Sequence, residues 1–227
     1  MWVTDDPWLV REGDFPVQGG IADQLRFLVS YAVLAPSSYN TQPWLFRVRG
    51  DTLDIVADRC RGLPVVDPND RELTISCGAA LEFLCASLRY FGFEPEVAAF
   101  PEAGARDLLA RVRIARRASV NGDTRSYFRA MALRRTTRMP FLRDPIEGLV
   151  LERMRAAASL HGVGCNLITS EPQRRVLAGG VARGDRAQFG DRRFRRELAL
   201  WTHPRRALSS DGLAAVGRAI SEVSSPG

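Results

Sequence analysis

Lysine is absent. All 32 basic residues of the 227-residue chain are arginine. A catalytic lysine is therefore excluded, and any bound anion must be held by guanidinium forks, backbone amides or hydroxyls. Histidine is nearly as scarce. His161 and His203 are the two present, and neither has a carboxylate at useful spacing, so both read as surface residues. The four cysteines, Cys60, Cys77, Cys85 and Cys165, form no C-x-x-C pair. That argues against a structural zinc site, and no metal ligand is assigned. No apolar run reaches membrane-spanning length; residues 73–93 come nearest and are interrupted by Glu82 and Arg89. No signal-peptide pattern is found, so a reduced, cytoplasmic setting is the expectation.

What remains is ordinary for a globular protein. The chain is 45% hydrophobic and 26% charged, with a net charge of +6. Its length suits one α/β or α+β domain, or two small ones. Residues 1–20 are turn-rich and read as an arm. Residues 21–34 carry Ile21, Leu25, Leu28, Val29 and Ala32 on one helical stripe, ended by Ala35-Pro36. Residues 45–48 and 52–57 alternate in polarity around Gly50-Asp51, which predicts a hairpin. A helix is predicted over 74–91, closed by Gly92, with strands over 94–100 and 108–115. Helices follow at 123–133 and at 145–160, the latter with Pro145 at its first position. A strand is expected at 163–168, then two helices between 172 and 200 broken near Gly190. Strands joined by hairpins and short links predict an α+β fold, an antiparallel sheet flanked by helices.

Two segments carry chemistry. The first is 36–44, PSSYNTQPW, in which hydroxyls, side-chain amides and prolines fall between a helix and a strand. If the loop is extended, Ser38, Asn40 and Gln42 point the same way. Side-chain amides both donate and accept, which suits the alternating N–H and C=O groups along the pyrimidine edge of a flavin. Trp44 is most simply a core anchor. The second segment is 134–141, RRTTRMPF. Its guanidinium groups and threonine hydroxyls suit a phosphate, although surface arginines without a ligand would look the same in an arginine-rich chain.

The APSSYNTQPWLFRV stretch resembles the nitroreductase-like FMN flavoprotein family, whose members carry a PSS-x-N-x-QPW-x-F segment. Residues 67–73 (DPNDREL) and 75–81 (ISCGAAL) resemble its Acg-like branch of actinobacterial NAD(P)H nitroreductases. The resemblance implies non-covalent FMN, with Pro36, Ser37, Ser38, Asn40 and Gln42 against the flavin. It likewise implies Arg134, Arg135, Thr136 and Arg138 at the phosphate, as in the family's R-R-S-x-R-x-F segment. NAD(P)H would be the electron donor and a small molecule the acceptor.

In that family the arginine segment precedes the PSS loop, whereas here it follows by about a hundred residues. An internal repeat accounts for the order. Residues 21–120 would form a first nitroreductase-like half and 121–227 an incomplete second half. The pair would make part of a fused pseudo-dimer with one composite flavin site, shortened at its C-terminus, and a second copy or a partner chain would cover the incomplete half. The function expected is an FMN-dependent NAD(P)H oxidoreductase of nitroreductase type. The alternative is a flavin-binding or flavin-sequestering protein with little reductase activity. A third reading, nucleic-acid binding, comes from ten arginines between 174 and 206. Helical spacing is expected to spread them around the surface, and no recognition motif accompanies them, so a solvated basic face is preferred.

Overall fold

The computed structural model describes residues 10–117, 119–137, 140–142, 144–160, 162–203 and 210–214. These residues divide into two compact units, one formed by residues up to 136 together with those from 196 onward, the other by 137–195.

The first unit is built on an antiparallel sheet. Strands β1 (Trp44–Arg49) and β2 (Thr52–Ala57) form the hairpin, with Gly50 at φ 58° in the turn. Strands β3 (Phe93–Ala99) and β4 (Leu108–Arg117) complete it in the order β1-β2-β4-β3. β2 is thus central, and its Leu53, Ile55, Val56 and Ala57 are buried. Asp54 is buried as well; it stands opposite Arg111 of β4 and accepts two hydrogen bonds from that guanidinium, at 2.6 and 3.0 Å. Burying a carboxylate is tolerable only with such a partner.

Helices α1 (Ile21–Ala32) and α2 (Arg71–Tyr90) pack with this sheet. Leu25, Leu28 and Ala32 recur at helical spacing and are fully buried, as are Ala80, Leu84 and Leu88 of α2. Gly92, at φ 82°, reverses the chain after α2 as expected. Trp44 is in the core, also as expected. The lead-in before α1 is held in place: Phe15 stacks on Phe91 with ring centroids 4.3 Å apart, and the buried Gln24 side chain donates to the Pro16 carbonyl at 3.1 Å. Helix α3 (Gly122–Leu133) docks through Phe128, which stacks on Tyr90 at 3.9 Å and meets Tyr31 at 4.8 Å. Asn121 caps α3 by accepting from the Thr124 N–H at 2.8 Å.

The second unit holds α4 (Gly148–Leu160), α5 (Glu171–Gly190) and the start of α6 (Arg192–Leu200). Ser170 caps α5, and the break after Gly190 lies where the sequence predicts it. Two expectations are corrected here. α4 begins at Gly148, so Pro145 is not its first residue. Residues 163–168 are not a strand; among the described residues no strand pairs with them, and an isolated extended segment has no ladder to stabilise it. No helix among the described residues is long and apolar enough to cross a membrane.

Candidate functional site

The loop between α1 and β1 is not extended, contrary to the sequence reading. Residues 38–40 form a 3-10 turn, and Tyr39, Asn40 and Gln42 take left-handed backbone angles of φ 51°, 55° and 51°. The serines fix this shape. Ser37 Oγ accepts from the Gln42 N–H at 2.9 Å, and Ser38 Oγ donates to Glu72 Oε2 at 2.6 Å. The Ser38 N–H donates to Ser76 Oγ at 3.3 Å. Ser38 therefore faces α2, away from its supposed companions. Asn40 and Gln42 do converge: Asn40 Nδ2 and Gln42 Nε2 donate to one acceptor, the carbonyl of Ser210, at 3.3 and 2.8 Å. Pro36 is exposed at the start of the loop, and the buried Pro43 closes it, its carbonyl accepting from the Cys77 thiol at 3.2 Å.

Helix α2 serves as the loop's backstop, and its own start is fixed by Asp67. This carboxylate is buried and accepts from the N–H groups of Arg71 at 2.8 Å and Leu73 at 2.9 Å. It satisfies two donors that a helix N-terminus leaves without intrahelical partners. The DPND run is thus a capping device that places Glu72 and Ser76 where Ser38 meets them.

The arginine segment reaches the lead-in of the same loop. Arg134 Nη2 donates to the Leu34 carbonyl at 3.2 Å, two residues before Pro36, and Nη1 donates to Thr136 Oγ1 at 3.3 Å. Its Nε is buried without an acceptor. Burial first, and the neighbouring Arg135 second, lower the Arg134 pKa below the usual guanidinium value. Arg135 donates to the carbonyls of Ala132 and Arg134, both at 2.8 Å. Arg138 lies outside the described residues.

A third element was not read from the sequence. Short strands β5 (Thr202–His203) and β6 (Leu213–Ala214) pair in parallel and carry residues 210–212 to the loop. Asp211 pairs with Arg61, whose Nε donates to the Thr41 carbonyl and whose guanidinium lies 5.5 Å from the Trp201 ring centre. His203 Nε2 lies 3.4 Å from Asp211 Oδ1. His203 is half-buried rather than a surface residue, and its Nε2 is buried without a hydrogen bond; His161 lies outside the described residues.

No family model matches the chain. A Mycobacterium tuberculosis protein named "Putative NAD(P)H nitroreductase Rv3131" is 30% identical over 181 residues, 80% of this chain and 52% of its own length. The chain is nitroreductase-like. A second M. tuberculosis protein, "Putative NAD(P)H nitroreductase acg", is 28% identical over 180 residues, 79% of this chain and 54% of its own length, which supports the Acg-like assignment. A Serratia protein, "Probable NAD(P)H nitroreductase PigM", is 35% identical over 71 residues, 30% of this chain and 20% of its own. The nitroreductase-like chain spans about half the length of the mycobacterial relatives it matches.

Proposed function

We propose that this nitroreductase-like chain holds FMN and acts as an NAD(P)H-dependent oxidoreductase on a small electron acceptor. The observation that carries the proposal is Arg134. A cation with a buried donor lacking an acceptor, lowered in basicity and flanked by a second arginine, is a site in want of an anion. It stands beside the lead-in to the PSS loop. A phosphate monoester matches that requirement, so the residues present fit the group. Arg134, Arg135 and Thr136 would hold the phosphate, with Arg138 beside them in sequence. The loop residues Pro36, Ser37, Ser38, Asn40 and Gln42 would take the pyrimidine edge, where the two amides already meet a carbonyl. Ser37 and Ser38 act through the loop's shape, since their hydroxyls bond to Gln42 and Glu72.

When bound, FMN supplies two-electron transfer from a nicotinamide to the acceptor. The chain's contribution would be binding and orientation: the guanidinium groups would neutralise the phosphate, and the preformed loop would orient the ring. The same reading treats 21–120 and 121–227 as two related halves sharing one composite site, in a cytoplasmic protein. Exposed Leu149, Val150 and Met154 on α4, and Val176, Leu177 and Val181 on α5, support a protein partner for that region, a second copy in the first instance.

The visible spectrum of the purified protein, followed by stopped-flow mixing with NADPH, tests the proposal. A flavin band that bleaches on mixing is expected. Bound flavin that resists reduction would leave sequestration as the function, and failure to bind added FMN would overturn both.

A further inference from the structure

The amide pair of the loop is already engaged by the chain itself, and the engagement has a pattern. Ser210 presents a carbonyl to Asn40 Nδ2 and Gln42 Nε2. Two residues on, the Gly212 N–H donates to the Asn40 carbonyl at 3.1 Å. The loop thus meets an acceptor and a donor side by side, from one short stretch of backbone. An imide edge, O=C–N–H, offers the same pair to the same partners. We propose that residues 210–212 are an internal plug that occupies the subsite for the imide edge of the flavin, so that loading requires the plug to leave. This rests on the flavin reading above.

The plug is held from behind, by groups outside that subsite. Asp211 is clamped by Arg61 and lies beside His203, and the Leu213 N–H donates to the Trp201 carbonyl at 2.7 Å. Its backbone also depends on one glycine. Gly212 sits at φ 73°, and a Cβ there would collide with the His203 ring and stand 2.8 Å from the Trp201 carbonyl oxygen. Gly212→Ala therefore cannot seat the plug, yet it leaves every side chain of the loop intact. Asp211→Asn removes the charge on which Arg61 closes and keeps the size.

A plug that is closed most of the time lowers apparent affinity by the fraction of open molecules. The experiment is fluorescence titration of FMN with the parent protein, Gly212→Ala and Asp211→Asn, each checked for folding by circular dichroism. About tenfold tighter binding by the variants is expected. Hydrogen exchange at the Gly212 and Leu213 amides supplies a second readout in the parent. FMN should speed exchange at both, because the plug has left. Unchanged or weaker affinity in both variants, or slower exchange at Gly212 with FMN, would overturn the plug while leaving the flavin site standing. If no form of the protein binds FMN, the flavin reading fails and the plug with it.

Discussion

Arg134→Met keeps an unbranched stem of the side chain and removes the guanidinium with its charge. In the folded chain two of its nitrogens donate, to the Leu34 carbonyl at 3.2 Å and to Thr136 Oγ1 at 3.3 Å. Each such bond contributes about 0.5–1.5 kcal/mol. Against them stands the Nε without an acceptor, and a buried donor of this kind costs about 1–3 kcal/mol. The terms nearly cancel. Arg134→Met should therefore leave the unfolding free energy within about 1 kcal/mol of the parent in urea denaturation. Ligand binding should respond differently. A charge-assisted bond to phosphate contributes about 1.5–3 kcal/mol, so FMN affinity should fall about 10- to 150-fold. Arg134→Lys should recover only part of this, because a point charge cannot reproduce the two-pronged guanidinium contact. A loss of more than about 2 kcal/mol of stability in the Met variant would make Arg134 a structural residue. Parental FMN affinity in that variant would refute the phosphate argument directly.

Other consequences are open to simple measurement. Asp67→Ala strands the N–H groups of Arg71 and Leu73 and should cost about 2 kcal/mol, seen as a lower Tm. Asp67→Asn, which keeps one acceptor, should cost less. Burial pushes the Cys77 and Cys85 thiols up to about 12. The unfolded chain releases these protons first, near the ordinary value of about 8.5. Their contribution to stability is therefore fully present below that pH and is lost as pH rises toward the folded values, a decline that denaturation at pH 8, 9 and 10 would reveal. A thiol reagent at neutral pH should label the exposed Cys60 at once and Cys77 and Cys85 only on unfolding. Gly92→Ala forces a Cβ into φ 82° and should destabilise by about 1 kcal/mol in the same urea titration.

Local signals were legible wherever the physics is local. The Gly50-Asp51 turn, the burial stripe of α1 and the Gly92 stop all lie within a few residues of what they control. The reading of 163–168 as a strand failed because a strand exists by virtue of its neighbour, and apolar alternation cannot report whether one arrives. The loop defeated the extended reading for a similar reason. Its left-handed turns are imposed by Ser37 Oγ and by Glu72, the latter 34 residues from Ser38. Asp67 was visible only as part of a resembling motif, though an aspartate placed before a helix is a recognisable capping signal. The contact of Gln42 with Ser210 spans 168 residues, and nothing in the sequence announces it.

The left-handed loop has one further consequence. Backbone at φ 51° costs Tyr39 and Gln42 about 1–2 kcal/mol each. That cost is offset within the folded chain by Ser37, by Glu72 and by the closing Cys77–Pro43 contact. The loop therefore has its shape before any ligand meets it, and binding draws no ordering entropy from its backbone. Calorimetry of ligand binding here should show an enthalpy governed by exchanged hydrogen bonds, with only a small heat-capacity change from the loop itself.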